Sequence, residues 1–429
     1  VIEKGTKITL DNSNLELVIN DLLGSGSQGD VYSVDINSTL YAAKVYFSAT
    51  STKEQLDIIK KLVEFKSPSE KFLWPIDTFR VNDNRFGYIM PLRSSNFRSI
   101  SSLLKRKCDP SFHTLIDCGL NLVNSFWALH SQGLCYRDIS LGNIFFDPLN
   151  GDIRICDNDN VFFDTKEQSS VFGTFRFMAP EIITDGVNPN TNTDLFSLAI
   201  LLFYIFYMHH PLEGQQEHNI HCLDIPAMKK LYGTNPVYIF DPKNDTNRPV
   251  SGYQDNPLFF HKIYPAFFNA MFEKVFTKGI KNPNKRVRET MMHKILLKLL
   301  NSLFKCPHCS ADNFYDKEVS NLRCWNCKKG INPPWVLHFN NEYIPIVSGH
   351  IIYTDSQNLS NEQYSMIAKV SMNPKDHSML GLQNLSSKSW QVLFKNQSTV
   401  TLLPQKTIRV KTGLILHIDG KEAVFHSSY

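Results

Sequence analysis

The stretch Tyr136-Arg137-Asp138-Ile139-Ser140-Leu141-Gly142-Asn143, with Asp157 fourteen residues beyond Asn143, gathers side chains able to move a phosphoryl group. Transfer from Mg-ATP needs one carboxylate to orient the acceptor hydroxyl. It also needs an amide and a second carboxylate to hold the metal ions that bridge the phosphates. Asp138, Asn143 and Asp157 occur in that order and spacing. A glycine loop and Lys44 precede them, and Met178-Ala179-Pro180-Glu181 follows.

The glycine loop, Gly24-Ser25-Gly26-Ser27-Gln28-Gly29-Asp30-Val31, has the form G-x-G-x-x-G-x-V. Glycines let the backbone approach phosphates with no Cβ in the way. A dinucleotide fingerprint shares this spacing but requires a helix next. Here Val31-Tyr32-Ser33-Val34 follows and reads as a strand, so a hairpin covering the phosphates fits better. Tyr41-Ala42-Ala43-Lys44-Val45 sets a lysine in an apolar strand at a distance from the loop that suits contact with the α- and β-phosphates. Such a lysine normally pairs with a helix glutamate. Glu54, Gln55, Asp57 and Glu64 are the candidates on the helix that follows. Apolar residues at +3, +4 and +7 pick Gln55, which carries no charge, so Glu54 is the expected acid. Gly87-Tyr88-Ile89-Met90-Pro91-Leu92-Arg93 is the expected hinge, with the Pro91 carbonyl and the Arg93 N–H available to adenine.

These residues need elements to hold them. Ile8–Leu10, Leu15–Ile19, Val31–Ile36, Leu40–Phe47, Leu73–Phe79 and Phe86–Met90 are rich in β-branched and aromatic residues and read as strands. Residues 52–65 read as a helix with Leu56, Ile59, Leu62 and Val63 on one face. Helical patterns recur over Thr114–His130, 194–208 and 258–304, with a turn-rich insertion over about 211–257. The first 300 or so residues thus run from β-rich to α-rich, which predicts two lobes with a cleft between them. Residues 332–429 alternate strand patterns with turns such as Lys411-Thr412-Gly413 and read as an all-β sandwich, with Trp390 in its core.

Bulk properties restrict the partners. The chain has 429 residues and a net charge of +4, too small to argue for nucleic acid or a membrane surface. The apolar run Leu195–Met208 is too short to span a bilayer. No signal-peptide pattern opens the chain. Nine cysteines fit no extracellular framework, and a reducing, cytoplasmic setting is expected. Four of them form Cys306-Pro307-His308-Cys309 and Cys324-Trp325-Asn326-Cys327, two knuckles separated by fourteen residues. Four thiolates in this pattern suit tetrahedral Zn²⁺, and a module this small has too little core to fold without it. His308 is expected to stay outside the ligand set.

With these motifs in order, residues 7 to about 302 resemble a eukaryotic-type protein kinase. The resemblance implies an α+β bilobal protein kinase fold over residues 1–302, followed by a zinc ribbon (303–331) and the all-β sandwich (332–429). It makes Asp138 the base, and Asn143 and Asp157 the ligands of Mg²⁺ or Mn²⁺. It makes Asp194 the brace of the catalytic loop and pairs Glu181 with Arg286. Nucleotide contacts are then expected from Gly24, Ser25, Gly26, Ser27, Gln28, Gly29, Val31, Ala42, Lys44, Met90, Pro91 and Arg93. Residues 160–174 become the activation segment, with Thr165, Ser169 and Ser170 as candidate phosphorylation sites and Arg137 as a receiver of phosphate.

Three features depart from that pattern. Ser140 stands where serine kinases carry a lysine, Asp157-Asn158-Asp159 lacks the usual Phe and Gly, and the helix acid is uncertain. With Trp74-Pro75-Ile76-Asp77 and Tyr238-Ile239-Phe240-Asp241-Pro242, they resemble a bacterial branch linked to stress and tellurite resistance. Members of that branch are encoded beside a von Willebrand A protein and a PP2C-type phosphatase. Leu380-Gly381-Leu382-Gln383-Asn384-Leu385-Ser386 resembles a forkhead-associated sandwich lacking its phosphothreonine-binding residues. The expected activity is transfer of the ATP γ-phosphoryl group to Ser or Thr of a protein. The alternatives are a nucleotide-binding scaffold without activity, favoured by Ser140 and Asn158, and a small-molecule kinase, opposed by Ala179-Pro180-Glu181.

Overall fold

The computed structural model describes residues 1–164, 173–355, 364–395 and 397–427. The N-terminal part is a six-stranded antiparallel sheet of β1 (Lys7–Thr9), β2 (Glu16–Ser25), β3 (Gly29–Ile36), β4 (Thr39–Tyr46), β5 (Asp77–Asn82) and β6 (Arg85–Pro91), in spatial order β1-β2-β3-β4-β6-β5. Successive strand residues point to opposite faces. On β4, Ala43 and Val45 therefore pack with Leu17, Ile19, Val34 and Phe79 in a core on one face. Ala42, Lys44 and Tyr46 take the other, toward the helices. A strand follows the glycine loop, as a phosphate-covering hairpin requires. Gly29 is needed where that hairpin crosses β4, because a Cβ there would lie 2.2 Å from the Val45 carbonyl oxygen. Leu73 and Trp74, expected to begin a strand, follow a segment that lies beside Ile155 instead: Phe72 bridges Ile155, and the Leu73 N–H donates to the Ile155 carbonyl at 2.9 Å. β5 starts only after Pro75.

Helix α1 (Lys53–Glu64) begins where Thr52 caps it by accepting the Gln55 N–H, and it buries Leu56, Ile59 and Leu62. The chain then becomes helical. The long helix Phe112–Ser131 is capped by Ser111, and Thr191–Tyr207 by Asn190 in a capping box. From Thr193 to Tyr207 every residue of the second helix is buried, which accounts for its unbroken apolar sequence. The helix expected over 258–304 is divided into Asp255–Ile263, Ala266–Phe276, Lys278–Lys281 and Glu289–Ser302. Pro265 and Pro283 cause two of the breaks, since proline lacks the N–H that would continue the helix. The turn-rich insertion is ordered through Asn247, whose buried amide donates to the carbonyls of Leu212 (2.9 Å) and Val237 (2.7 Å).

The last of these helices runs directly into a hairpin, Leu303–Lys305 with Asp312–Phe314, that leads into the cysteine knuckles. Two sheets follow. One orders the strands Glu342–Ile346, Trp335–Phe339, Lys421–Ser427, Ile415–Ile418, Trp390–Leu393 and Thr399–Leu402; the other orders Ile351–Asp355, Tyr364–Asn373, Asp376–Asn384 and Thr407–Arg409. Their facing residues close a separate core around Trp390, which is 1% exposed. Asp376–Asn384 and Lys421–Ser427 show only a weak strand pattern in the sequence, because their apolar alternation is diluted by histidine, glutamine and serine.

Candidate active site

Lys44 reaches out of β4 into a pocket of acids and is only 6% exposed. Its Nζ lies 2.7 Å from Asp159 Oδ2, 3.4 Å from Asp157 Oδ1 and 3.5 Å from Gln28 Oε1 of the glycine loop. Burial opposes its charge, but the two carboxylates outweigh burial and raise its pKa. The expected partner Glu54 is corrected: it is exposed and is not among these contacts. At 100° per residue it lies about 200° around the helix from buried Leu56. Gln55 faces the pocket instead, donating its amide N–H to the Tyr46 hydroxyl (3.3 Å) and to the Asp159 carbonyl (3.4 Å). Tyr46 donates its hydroxyl to Asp159 Oδ2.

The loop Asp157-Asn158-Asp159 has distinct tasks for each residue. Asp157 adopts the left-handed conformation (φ 48°), which aspartate tolerates better than most residues. Its side chain is 43% exposed, while that of Asp159 is 0% exposed. Burial raises the Asp157 pKa most; the charges of Asp159 and Asp138 add to this, and Lys44 opposes. A carboxylate so placed suits a divalent cation. Buried Asn158 donates to the carbonyls of Leu73 (2.8 Å) and Ile155 (2.9 Å), fastening the loop to the strand-side segment.

The segment from Tyr136 to Asn143 is braced from below. Asp194, near the start of the helix Thr191–Tyr207, accepts the backbone N–H groups of Tyr136 (2.5 Å) and Arg137 (3.0 Å). Arg137 is held at φ 70°, a strained conformation for this residue type. The Asn143 amide donates to the Asp138 carbonyl (2.8 Å) and to Asp138 Oδ2 (3.2 Å), which leaves its own carbonyl oxygen for a cation. On the other carboxylate oxygen, Oδ1, Asp138 accepts the Thr174 hydroxyl at 2.9 Å. Glu181 and Arg286 form a two-pronged ion pair at 2.7 and 2.8 Å, and Arg286 also donates to Asn192 O and Gly279 O. The Pro91 carbonyl ends β6, and the Arg93 guanidinium lies over the Phe145 ring at 3.9 Å.

Residues 17–301 match the protein kinase domain family. The chain belongs to that family. Its kinase domain is similar to the protein kinase C delta type of Mus musculus, with 28% identity over 233 residues, covering 50% of this chain and 32% of that protein. It is also similar to the probable serine/threonine-protein kinase gdt4 of Dictyostelium discoideum, with 26% identity over 234 residues, 52% of this chain and 13% of that protein. Beta-adrenergic receptor kinase 1 of Didelphis virginiana is 33% identical over 97 residues, 22% of this chain and 14% of that protein. The matches cover no more than 32% of any of these three relatives.

Several residues of this kinase domain escape a reading by motif. Thr174 holds Asp138, and its only sequence signal is its place after Gly173, ahead of Met178-Ala179-Pro180-Glu181. A Cβ on Gly173 would meet the Arg137 carbonyl at 2.7 Å, so the chain passes there only as glycine. His130 bridges Asp194 (3.1 Å) and Glu289, tying the brace of the Tyr136–Asn143 segment to the first turn of the helix Glu289–Ser302. Burial opposes its charge, yet the two acids push its pKa up to about 9. Thr165, Ser169 and Ser170 lie outside the described residues. Arg137 sits over the Phe162 ring at 4.3 Å.

Cys306, Cys309, Cys324 and Cys327 place their sulfurs within 4.8 Å of one another. Cys306–Cys327 and Cys309–Cys324 are 3.7 and 3.6 Å apart. A tetrahedron with Zn–S of about 2.3 Å separates its sulfurs by about 3.8 Å, so the four fit zinc and are too far apart for disulfides. Burial would raise the Cys324 pKa, but the Cys327 N–H and the Asn313 amide, 3.5 Å from the sulfur, pull it down to about 6. These donors stabilise a thiolate, the form that binds metal. His308 contributes its backbone N–H to Cys306 Sγ at 3.4 Å and is outside the set of four.

Proposed function

We propose that this chain is a protein Ser/Thr kinase of bilobal form, transferring the γ-phosphoryl group of ATP to protein hydroxyls. The observation that carries this reading is the arrangement at Asp138. One carboxylate oxygen is held by the Asn143 amide, and the other already accepts a threonine hydroxyl. An acceptor Ser or Thr would offer Asp138 the same group. Asp138 then orients the hydroxyl and takes its proton as the oxygen attacks in line. When bound, Mg-ATP supplies the phosphoryl group and the cations that offset its charge. Asn143 and Asp157 would hold the cations, Lys44 the α- and β-phosphates, and the Gly24–Gly29 loop would exclude water from above. The intact Lys44, Asp138, Asn143 and Asp157 support an active enzyme over a scaffold.

The flanking parts extend the proposal. We assign residues 1–302 to the kinase domain, 303–331 to a structural zinc ribbon and 332–429 to a degenerate forkhead-associated-like sandwich. Separate apolar clusters around Trp390 and around Phe304, Cys306, Cys324 and Ile331 support these boundaries. The resemblance to the bacterial stress-linked branch supports a cytoplasmic signalling role beside a von Willebrand A protein and a PP2C-type phosphatase. Its marker Trp74 donates its indole N–H to the carbonyls of Leu62 and Phe65, both at 2.8 Å, and so ends α1. No described helix is long and apolar enough to cross a membrane.

The test is transfer from labelled ATP to a general acceptor such as casein, followed by phosphoamino-acid analysis. Phosphoserine or phosphothreonine that disappears in Asp138→Asn is expected. Phosphotyrosine, or equal labelling by both proteins, would overturn the proposal.

A further inference from the structure

The helix that normally supplies an anion to the phosphate-binding lysine offers an uncharged Gln55 at the facing position, and its exposed neighbour Glu54 points away. Lys44 is nevertheless buried, and a buried ammonium needs an anion. Two carboxylates lie within reach. Asp157 is the farther (3.4 Å) and the more exposed, and it is the one committed to metal in the proposed function. Asp159 is the nearer (2.7 Å) and is fully enclosed.

Around Asp159 the structure builds a cradle from separate elements. Tyr46 on β4 donates to the same oxygen that receives Lys44. Gln55 on α1 holds the Asp159 main-chain carbonyl. Asn158 anchors the loop to Leu73 and Ile155. The second carboxylate oxygen, Oδ1, is buried without a hydrogen-bond partner, as is the hydroxyl of Tyr88. An acid kept in that condition, in a chain that could carry a neutral residue there, is retained for the charge it supplies to Lys44.

We propose that Asp159 is the positioning residue for Lys44, taking over the task usually given to an acid on α1. The ion pair that orients the phosphate-binding lysine is thereby moved from a helix onto the metal-binding loop itself. Lys44 and the loop are set by one contact, and of the polar contacts around Asp159 those made by α1 are the neutral hydrogen bonds of Gln55. Fully enclosed beside Lys44, Asp159 is placed to act through that lysine rather than to meet nucleotide or acceptor itself. The inference rests on the proposed ATP-binding role of Lys44 and deepens it.

Nucleotide binding tests this without requiring phosphoryl transfer. Affinity for Mg-ADP and metal-free ADP is measured by titration calorimetry on the full chain, with thermal melting as a check on folding. Asp159→Asn should weaken ADP binding about tenfold or more, with or without magnesium, and Glu54→Gln should leave it unchanged. Adding Gln55→Glu to Asp159→Asn rebuilds an anion on α1 and should recover most of the affinity. A purely structural Asp159 would show no such recovery. If Asp159→Asn alone does not fold, Asp159→Asn/Gln55→Glu is compared directly with the wild type and with Asp159→Asn/Gln55→Met. Wild-type affinity in Asp159→Asn, loss in Glu54→Gln, or equal affinity of the double variants carrying Gln55→Glu and Gln55→Met would overturn the inference. If these arms come out as expected while the wild type transfers no phosphate, the kinase proposal fails and the lysine-positioning inference stands.

Discussion

His130 shows how much of this molecule depends on single buried groups. Its ring joins Asp194, which fixes the backbone at Tyr136 and Arg137, to Glu289, which opens the last helix of the kinase domain. Its folded pKa is raised from 6.5 to about 9. A raised pKa means that the protonated ring stabilises the fold, fully below about pH 6.5, and that this contribution is lost as pH rises through about 9. The shift corresponds to about 3 kcal/mol. Melting of the wild type should therefore fall more steeply between pH 7 and 9.5 than melting of His130→Gln. Parallel curves would show that the pair of acids does not hold the proton. Nothing in the sequence marks His130, because its partners lie 64 and 159 residues away. Asp138, Asn143 and Lys44 stand out because their chemistry restricts both residue type and spacing. Asp159 does not, since its partner Lys44 is 115 residues distant. Charge alone points to Glu54 as that partner, whereas helical register points to Gln55, and register decides which side chain faces the pocket.

At the scale of elements, the periods of two and 3.6 were legible wherever one face is buried and the other is wet. Helix α1 is of this kind, whereas β4 is buried on both faces from Ala42 to Tyr46 and is legible instead from its apolar run. The pattern failed where burial alone does not choose a conformation. Leu73 and Trp74 are as apolar as a strand but pack as a loop against Ile155. The run 258–304 is apolar enough for one helix, yet Pro265 and Pro283 divide it. The cysteine hairpin was legible for a different reason: four thiols at fixed spacing leave few other uses. Phe304 and Ile331 are its main apolar residues besides cysteines, so its order should depend on metal. A chromogenic chelator assay after thiol modification should release one zinc per chain, and Cys309→Ser should lose it. The kinase domain should still melt cooperatively in that variant. Retention of zinc by Cys309→Ser, or unfolding of the module with zinc still bound, would contradict a four-thiolate structural site.

On the scale of the whole molecule, the three parts are joined by specific polar contacts that no single motif announces. Asn301, near the end of the last kinase-domain helix, accepts the Tyr353 N–H (2.9 Å) and donates to the Tyr353 carbonyl (3.1 Å), as a neighbouring strand would. His293 meets Asp355 at 2.8 Å, and Tyr364 donates to Asp117 on the long helix Phe112–Ser131. Phe314 of the cysteine hairpin packs edge-on against Phe112 at 5.2 Å. The sandwich and the hairpin thus rest on the two helices, Phe112–Ser131 and Glu289–Ser302, that His130 ties to Asp194, the brace of the Tyr136–Asn143 segment. At the centre of this assembly is Asp138, proposed to work with its neighbours in phosphoryl transfer. The most direct test is intact mass after incubation of the full chain and of Asp138→Asn with Mg-ATP. Phosphate-sized additions on the wild type alone are predicted. No addition on either protein, with nucleotide binding intact, would contradict the account and leave a nucleotide-binding scaffold in its place.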